Sequence, residues 1–169
     1  KLLVHPYMLG VWLGDGTSSK AQICGARKDI DKISNKLKQF GYKNTAEWVH
    51  KDTKVVYLGY SNLMILLKKI GVLGNKHIPN NYKFSSIDQR LELLAGLIDT
   101  DGSRDMRSRY RFSSCSKKLA EDVKELVVSL GSRSYIMEYE PVISSSGIIG
   151  RKTVYQVGFN LSQKLPVAL

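Results

Sequence analysis

Apolar and polar positions follow two rhythms along this chain, a helical one and an alternating one. Residues 5–16, HPYMLGVWLGDG, form an apolar-periodic run in which Pro6 suits a first helical turn and Gly16 a terminator. Polar TSSKAQICGARK follows, with strand character around Ala21 to Cys24. In residues 29–42, Ile30, Ile33, Leu37 and Phe40 recur at helical spacing, which predicts an amphipathic helix closed by Gly41. TAEWVHKDTKVVYLGYS predicts two short strands joined at Lys51–Asp52. SNLMILLKKIGVLG predicts a helix capped by Ser61 or Asn62 and ended by Gly71 or Gly74. NKHIPNNYKFSS reads as a loop.

The pattern then restarts. Residues 86–103, SIDQRLELLAGLIDTDGS, predict a helix ending in a second Asp-Gly, followed by a strand in SRYRFSSCS. KKLAEDVKELVVSLG predicts an amphipathic helix with Leu119, Val123, Leu126, Val127 and Leu130 inward. SRSYIMEYEPVI and RKTVYQVGFNLS predict two more strands, and SSSGIIG between them a mobile turn. The order helix, strands, helix, two strands occurs twice, so the chain contains an internal repeat. An α+β fold is expected, with halves at about 1–85 and 86–169 related by a pseudo-twofold axis. No Pro-rich or charge-rich linker divides them, which makes a single domain over 1–169.

Charge changes the picture. The 169 residues carry 26 Lys plus Arg against 15 Asp plus Glu, a formal +11, which points to a polyanionic partner. In RSRYRFS, Arg107, Arg109 and Arg111 alternate and share one strand face, while Tyr110 and Phe112 take the other. One basic face and one apolar face suit a sheet that grips duplex DNA, where Arg reads guanine bidentately. Lys20, Arg27 and Lys28 would play that part in the first half, with Lys54, Arg104, Arg133 and Arg151 elsewhere. Cys24 and Cys115 lie far apart and form no metal spacing, so they are expected as buried, reduced thiols suited to an intracellular compartment. His5, His50 and His77 also lack ligand spacing. No apolar run approaches membrane-spanning length.

The two repeat starts hold the chemistry. Residues 8–16 read MLGVWLGDG and residues 94–102 read LAGLIDTDG. Gly10 and Gly14, and likewise Gly96 and Thr100, lie one helical turn apart on one face. Small residues so spaced let two helix backbones approach closely. Packed side by side, the two helices bring Asp15 and Asp101 together at their C-terminal ends. Two carboxylates there repel each other and face the negative ends of both helix dipoles. A divalent cation with hard oxygen ligands relieves both costs. A single Asp-Gly would read as a turn after a helix; two copies at matching repeat positions point to a site.

LGVWLGDG and LLAGLIDTDGS closely resemble the paired signatures of the LAGLIDADG homing endonucleases, and HPYMLGVWLGDG is similar to the branch carried inside inteins. The resemblance covers nearly the whole chain. It implies two αββαββα halves with paired central helices and two DNA-binding antiparallel sheets. It implies a monomeric, Mg²⁺- or Mn²⁺-dependent enzyme that hydrolyses phosphodiester bonds in a long, nearly asymmetric duplex site. Asp15 and Asp101 map onto the metal ligands, assisted by the carbonyls of Gly14 and Thr100. Asp99, replaced by Leu13 in the first copy, is expected to be structural. GVLGNKHIP and GRKTVYQVGF resemble the regions that carry a catalytic lysine, matched by Lys76 and by Lys152, with Arg151 as the fallback. The competing expectation is a non-cleaving relative, an RNA maturase or a DNA-binding regulator. Splicing is not expected of a chain that starts at Lys1 and ends KLPVAL, although derivation from a larger intein remains open.

Overall fold

The structure is a computed structural model that describes residues 1–106, 109–141 and 152–169. The predicted turn at SSSGIIG, Arg107 and Arg151 lie outside the described residues.

Two helices form the centre. α1 (Pro6–Asp15) starts with Pro at its first turn, and α5 (Ile87–Asp101) starts at a capping box between Ser86 and Gln89. Ser86 Oγ accepts from the Gln89 amide, and Gln89 Oε1 accepts from the Ser86 amide. α1 is buried from Pro6 to Leu13 and α5 from Leu93 to Asp99, because each is packed there by its twin and by a sheet.

The helix pair is self-reciprocal. A Cβ placed on Gly10 would stand 2.2 Å from the Leu93 carbonyl oxygen and 3.0 Å from the Leu97 nitrogen. A Cβ on Gly96 would stand 2.4 Å from the Tyr7 carbonyl oxygen and 2.7 Å from the Val11 nitrogen. Tyr7, Gly10 and Val11 occupy the places in the first motif that Leu93, Gly96 and Leu97 occupy in the second. Matching residues meeting each other in both directions is the signature of a twofold contact.

Each half adds a sheet and a covering helix. In the first half, β1 (Gln22–Gly25), β3 (Val56–Tyr60) and β2 (Asn44–Val49) form an antiparallel sheet in the order β1-β3-β2. In the second, β4 (Gly102–Arg104), β5 (Tyr110–Ser114), β7 (Val154–Phe159) and β6 (Ser134–Tyr139) form a sheet in the order β4-β5-β7-β6. The bridge Gly16↔Ile23 matches the pair Gly102↔Phe112, so the first half keeps one rung of the strand that becomes β4 in the second. α2 (Arg27–Gln39) buries Ile30, Ile33 and Leu37 toward the first sheet. α6 (Lys117–Ser129) buries Leu119, Val123, Leu126 and Val127 toward the second. The buried side chains of both halves form one cluster around Tyr7, Trp12, Leu94 and Leu97.

Several expectations need correction. The loop expected over 75–86 contains a short helix, α4 (Asn80–Lys83), after α3 (Leu63–Lys69). Tyr82 is fully buried there; its hydroxyl donates to the Val4 carbonyl at 2.8 Å and accepts from the Val4 amide at 3.0 Å. Asn62 precedes α3 in a left-handed conformation and makes no side-chain cap. Gly16 and Gly102 end their helices in extended, not left-handed, backbone; they are glycine because a Cβ would strike Trp12 or Ile98 in the preceding turn. The second half carries no closing helix, since residues 160–169 run without one. Cys115 is exposed and Cys24 half-buried, so neither is a core thiol. Among the described residues no helix is long and apolar enough to cross a membrane.

Candidate active site

The C-terminal ends of α1 and α5 carry Asp15 and Asp101 to one place. They stay close because Gly14 leaves no side chain between the helices: a Cβ there would overlap Thr100 Oγ1 at 1.9 Å. Thr100 turns that hydroxyl back onto its own helix, donating to the carbonyls of Gly96 and Leu97 at 3.0 and 3.1 Å.

Crowding shows in the acidities. Loss of solvent and the neighbouring Asp101 push Asp15 up to about 6, against a smaller opposing pull from Lys76. Asp101 is also raised by desolvation, and Lys76 again opposes. Two carboxyls so placed titrate as a pair, and their repulsion belongs to both.

Lys76 is the third member. Its Nζ donates to the carbonyl of Leu13 at 2.9 Å and of Gly14 at 2.8 Å, and lies 5.3 Å from the centre of the Trp12 ring. It therefore caps the last turn of α1, where unpaired carbonyls and the helix dipole attract a cation. Burial lowers its pKa, while Asp101, Asp15 and Cys24 pull the other way. The Gly14 carbonyl, expected as a metal ligand, is thus occupied by the Lys76 ammonium. Lys152, by contrast, is exposed two residues before β7.

Asp99 has other partners. It is buried and accepts from Tyr7 Oη at 2.6 Å and from the amides of Ala168 and Leu169 at 2.7 and 3.0 Å. Burial and the Asp99 carboxylate hold the Tyr7 hydroxyl protonated, well above its ordinary range.

The basic residues divide. Lys20, Lys28, Lys54 and Arg133 are exposed. Arg109 and Arg111 are half-exposed, opposite the buried Tyr110 and Phe112. Arg27 is a correction: it starts α2 and pairs with Glu47 at 2.5 Å and Asp31 at 3.3 Å. Glu47 is level with buried Leu58, so this cluster lies on the helix-covered side of the first sheet. Arg104 is another: it is level with Tyr110 and its guanidinium lies 5.4 Å from that ring, on the face opposite Arg111.

Three features escaped the sequence. Cys24 Sγ donates to the Asp15 carbonyl at 3.0 Å, and nothing in the pattern singles out that thiol. Trp48 and Tyr57 stack at 3.9 Å on the open face of the first sheet, which the register Trp48↔Tyr57 would have required had the pairing been known. Beside Asp15 opens a cavity of about 460 Å³ lined by Cys24, Asp29, Thr100, Ser103 and Arg104. Its floor is made by both halves, so neither half's sequence announces it.

The donor set fits a hard divalent ion: two crowded carboxylates, helix-end carbonyls and room for water. Among the described residues no group of three or more His, Cys, Asp or Glu could hold a metal by itself, so any ion here relies on water or substrate oxygens as well.

Fold and site together define a protein built on a reciprocal pair of small-residue helices that bring two aspartates and a lysine together. Residues 88–157 match the family model described as LAGLIDADG-like domain. The homing endonuclease I-DmoI, in a crystal structure with DNA and manganese, is similar at a TM-score of 0.58 and 16% identity, over 94% of this chain and 89% of that one. The N-terminal LAGLIDADG domain of DUF199/WhiA is similar at 0.53 and 12% identity, over 96% and 79%. A replicative DNA helicase DnaB of Mycobacterium intracellulare is 43% identical over 133 residues, which is 79% of this chain and 20% of the helicase. The chain therefore spans about a fifth of that curated relative. These findings support the LAGLIDADG family, and the chain has the LAGLIDADG homing endonuclease fold.

Proposed function

We propose that this chain is a site-specific endonuclease that hydrolyses both strands of a long, nearly asymmetric duplex DNA site with Mg²⁺ or Mn²⁺. The observation that carries this reading is the convergence of Asp15 and Asp101 at the ends of a reciprocal helix pair, with Lys76 Nζ fixed beside them. The DNA-bound state of I-DmoI, on the same fold, supports it.

Asp15 and Asp101 would hold the cation, with the Thr100 carbonyl better placed to help than that of Gly14, which Lys76 engages. A divalent ion supplies Lewis acidity toward a water and the leaving oxygen. Lys76 spends two of its N–H donors on α1, which fixes the ammonium and leaves a third for a water or a phosphate oxygen. Lys152 is the corresponding proposal for the second half. Lys20, Lys28, Lys54, Arg109, Arg111 and Arg133 would contact the duplex, joined by Arg107 and Arg151 beyond the described residues.

The chain would act as a monomer, one domain with halves near 1–85 and 86–169. Its match to a fifth of a longer protein supports an origin as the endonuclease part of an intein. The second reading is a non-cleaving nucleic-acid binder. The likeness to the WhiA domain keeps it beside the first, because a shared fold does not by itself bring nuclease chemistry.

Incubation with a randomised duplex library, with Mg²⁺ and with EDTA, separates the two. The endonuclease reading expects one long motif, cut only with Mg²⁺, and no cutting by Asp15→Asn or Asp101→Asn proteins that still bind it. Binding enrichment without any cut establishes the binder instead.

A further inference from the structure

One carboxylate, that of Asp105 just after β4, bonds to residues at the start of β5. The Asp105 amide donates to the Arg109 carbonyl at 2.9 Å, and Asp105 Oδ1 accepts from the Arg109 amide at 3.0 Å. Its other oxygen accepts from Arg109 Nε at 2.8 Å and from Arg111 Nη2 at 3.3 Å. Asp105 is the more buried member of this trio, with its side chain 20% exposed against 40% and 38% for the two arginines. Both guanidiniums are thus anchored from behind, and each keeps most of its N–H donors for another acceptor.

The face they share is open. Arg111 is level with Gly158, over which the Tyr135 ring lies so closely that a Cβ there would stand 2.3 Å from it. Arg109, Arg133 and Tyr135 line one cavity of about 350 Å³. A carboxylate set among arginines weakens their pull on phosphates, since it removes one positive charge from the patch. It does the reverse for base reading: a guanidinium held in one orientation loses less entropy when it forks onto guanine O6 and N7.

We infer that Asp105 is a positioning residue that orients Arg109 and Arg111 to read guanines at two neighbouring positions of one half-site, in the major groove. This rests on the DNA reading above and goes beyond it, because it assigns the base class and the residue that sets it. The arginines of these pairs are well solvated and the Asn oxygen can still accept from the Arg109 amide, so an Asp105→Asn protein should fold, with a loss of about 1 kcal/mol.

The test is binding-site selection from a randomised duplex library in EDTA, with wild type and Asp105→Asn, and thermal melts of both. We expect the wild-type motif to carry two neighbouring guanines in one half-site. In Asp105→Asn those two positions relax while the rest of the motif stays. Affinity for the selected site falls about tenfold, and affinity for unrelated duplex stays level or rises. Arg109→Lys, which keeps the charge and loses the fork, should relax one of the same positions even if Asp105→Asn melts early. An Asp105→Asn protein that binds every duplex more tightly with its motif unchanged overturns the inference and leaves the endonuclease reading standing. A wild-type protein that enriches no motif overturns both.

Discussion

Gly10→Ala isolates the contact on which the proposed catalytic centre depends. The added methyl would lie 2.2 Å from the Leu93 carbonyl oxygen and about 3 Å from two further backbone atoms of α5. None of these is the end of a flexible side chain, so the helices must separate by about an ångström to reach ordinary contact. Forcing extra volume into a packed interior costs about 1–3 kcal/mol, and a clash with backbone belongs at the upper end. Replacing glycine by alanine inside a helix returns about 1 kcal/mol. The net loss is about 2 kcal/mol, or a Tm lower by about 4–8 °C for a chain of this size. The same displacement moves Asp15 relative to Asp101, and a misplacement of about an ångström costs on the order of a hundredfold in rate. Thermal melts and single-turnover cleavage of the selected site measure the two effects. A Tm that rises by the amount helix propensity alone provides, with cleavage unchanged, would refute the close approach.

Asp15→Asn should raise the Tm of the metal-free protein at pH 7.5. An acid whose folded value is raised to about 6 costs stability in full above that pH, and the cost vanishes as pH falls below its ordinary 3.8. Melts in EDTA across that window should show the advantage of the variant shrinking toward zero, and an advantage independent of pH would contradict the crowding of the two carboxyls. Lys76→Met should lower cleavage by about 10²–10³ while duplex binding changes little, as measured by single-turnover rates beside equilibrium binding. Asp122→Ala should destabilise the protein by about 1–3 kcal/mol in denaturant titration, because it leaves the buried Ile78 amide without its acceptor and the Lys83 ammonium with Glu125 as its remaining carboxylate. Burial alone would raise the Asp122 carboxyl, but Lys118, the Ile78 amide and Lys83 outweigh it and hold it below its ordinary value. Its contribution is therefore full above pH 3.8 and should disappear as pH falls further, whereas the variant should show no such step.

Local rules made most elements readable. Pro6 and Ser86 open helices, and the periodic apolar residues of α2 and α6 choose the buried face without help from the rest of the chain. The alternation at residues 109–112 likewise sets which side of β5 is buried. The lengths of α3 and α4 and the three residues of β4 were less legible, because short elements draw their stability from packing and pairing instead of their own periodicity.

By itself the sequence determined that the chain repeats, that each repeat starts with a small-residue helix ending in Asp-Gly, and that a basic face alternates with an apolar one. Those are properties of neighbouring positions, and spacing encodes them. The motif around Lys76 singled that lysine out by resemblance, but only the tertiary structure decided that its ammonium reaches the Gly14 carbonyl at the end of α1 across 62 residues of chain. It also decided that Arg27 pairs with Glu47 on the covered side of the first sheet, that Arg104 stands on the face of the second sheet opposite Arg111, that Asp99 accepts from the amides of Ala168 and Leu169, and that Asp105 bonds to two arginines. The places of Arg104 and Arg111 follow from strand register, where a shift of one residue would send each to the opposite face, and those of Lys76 and Asp99 follow from the way distant segments close on the central helices.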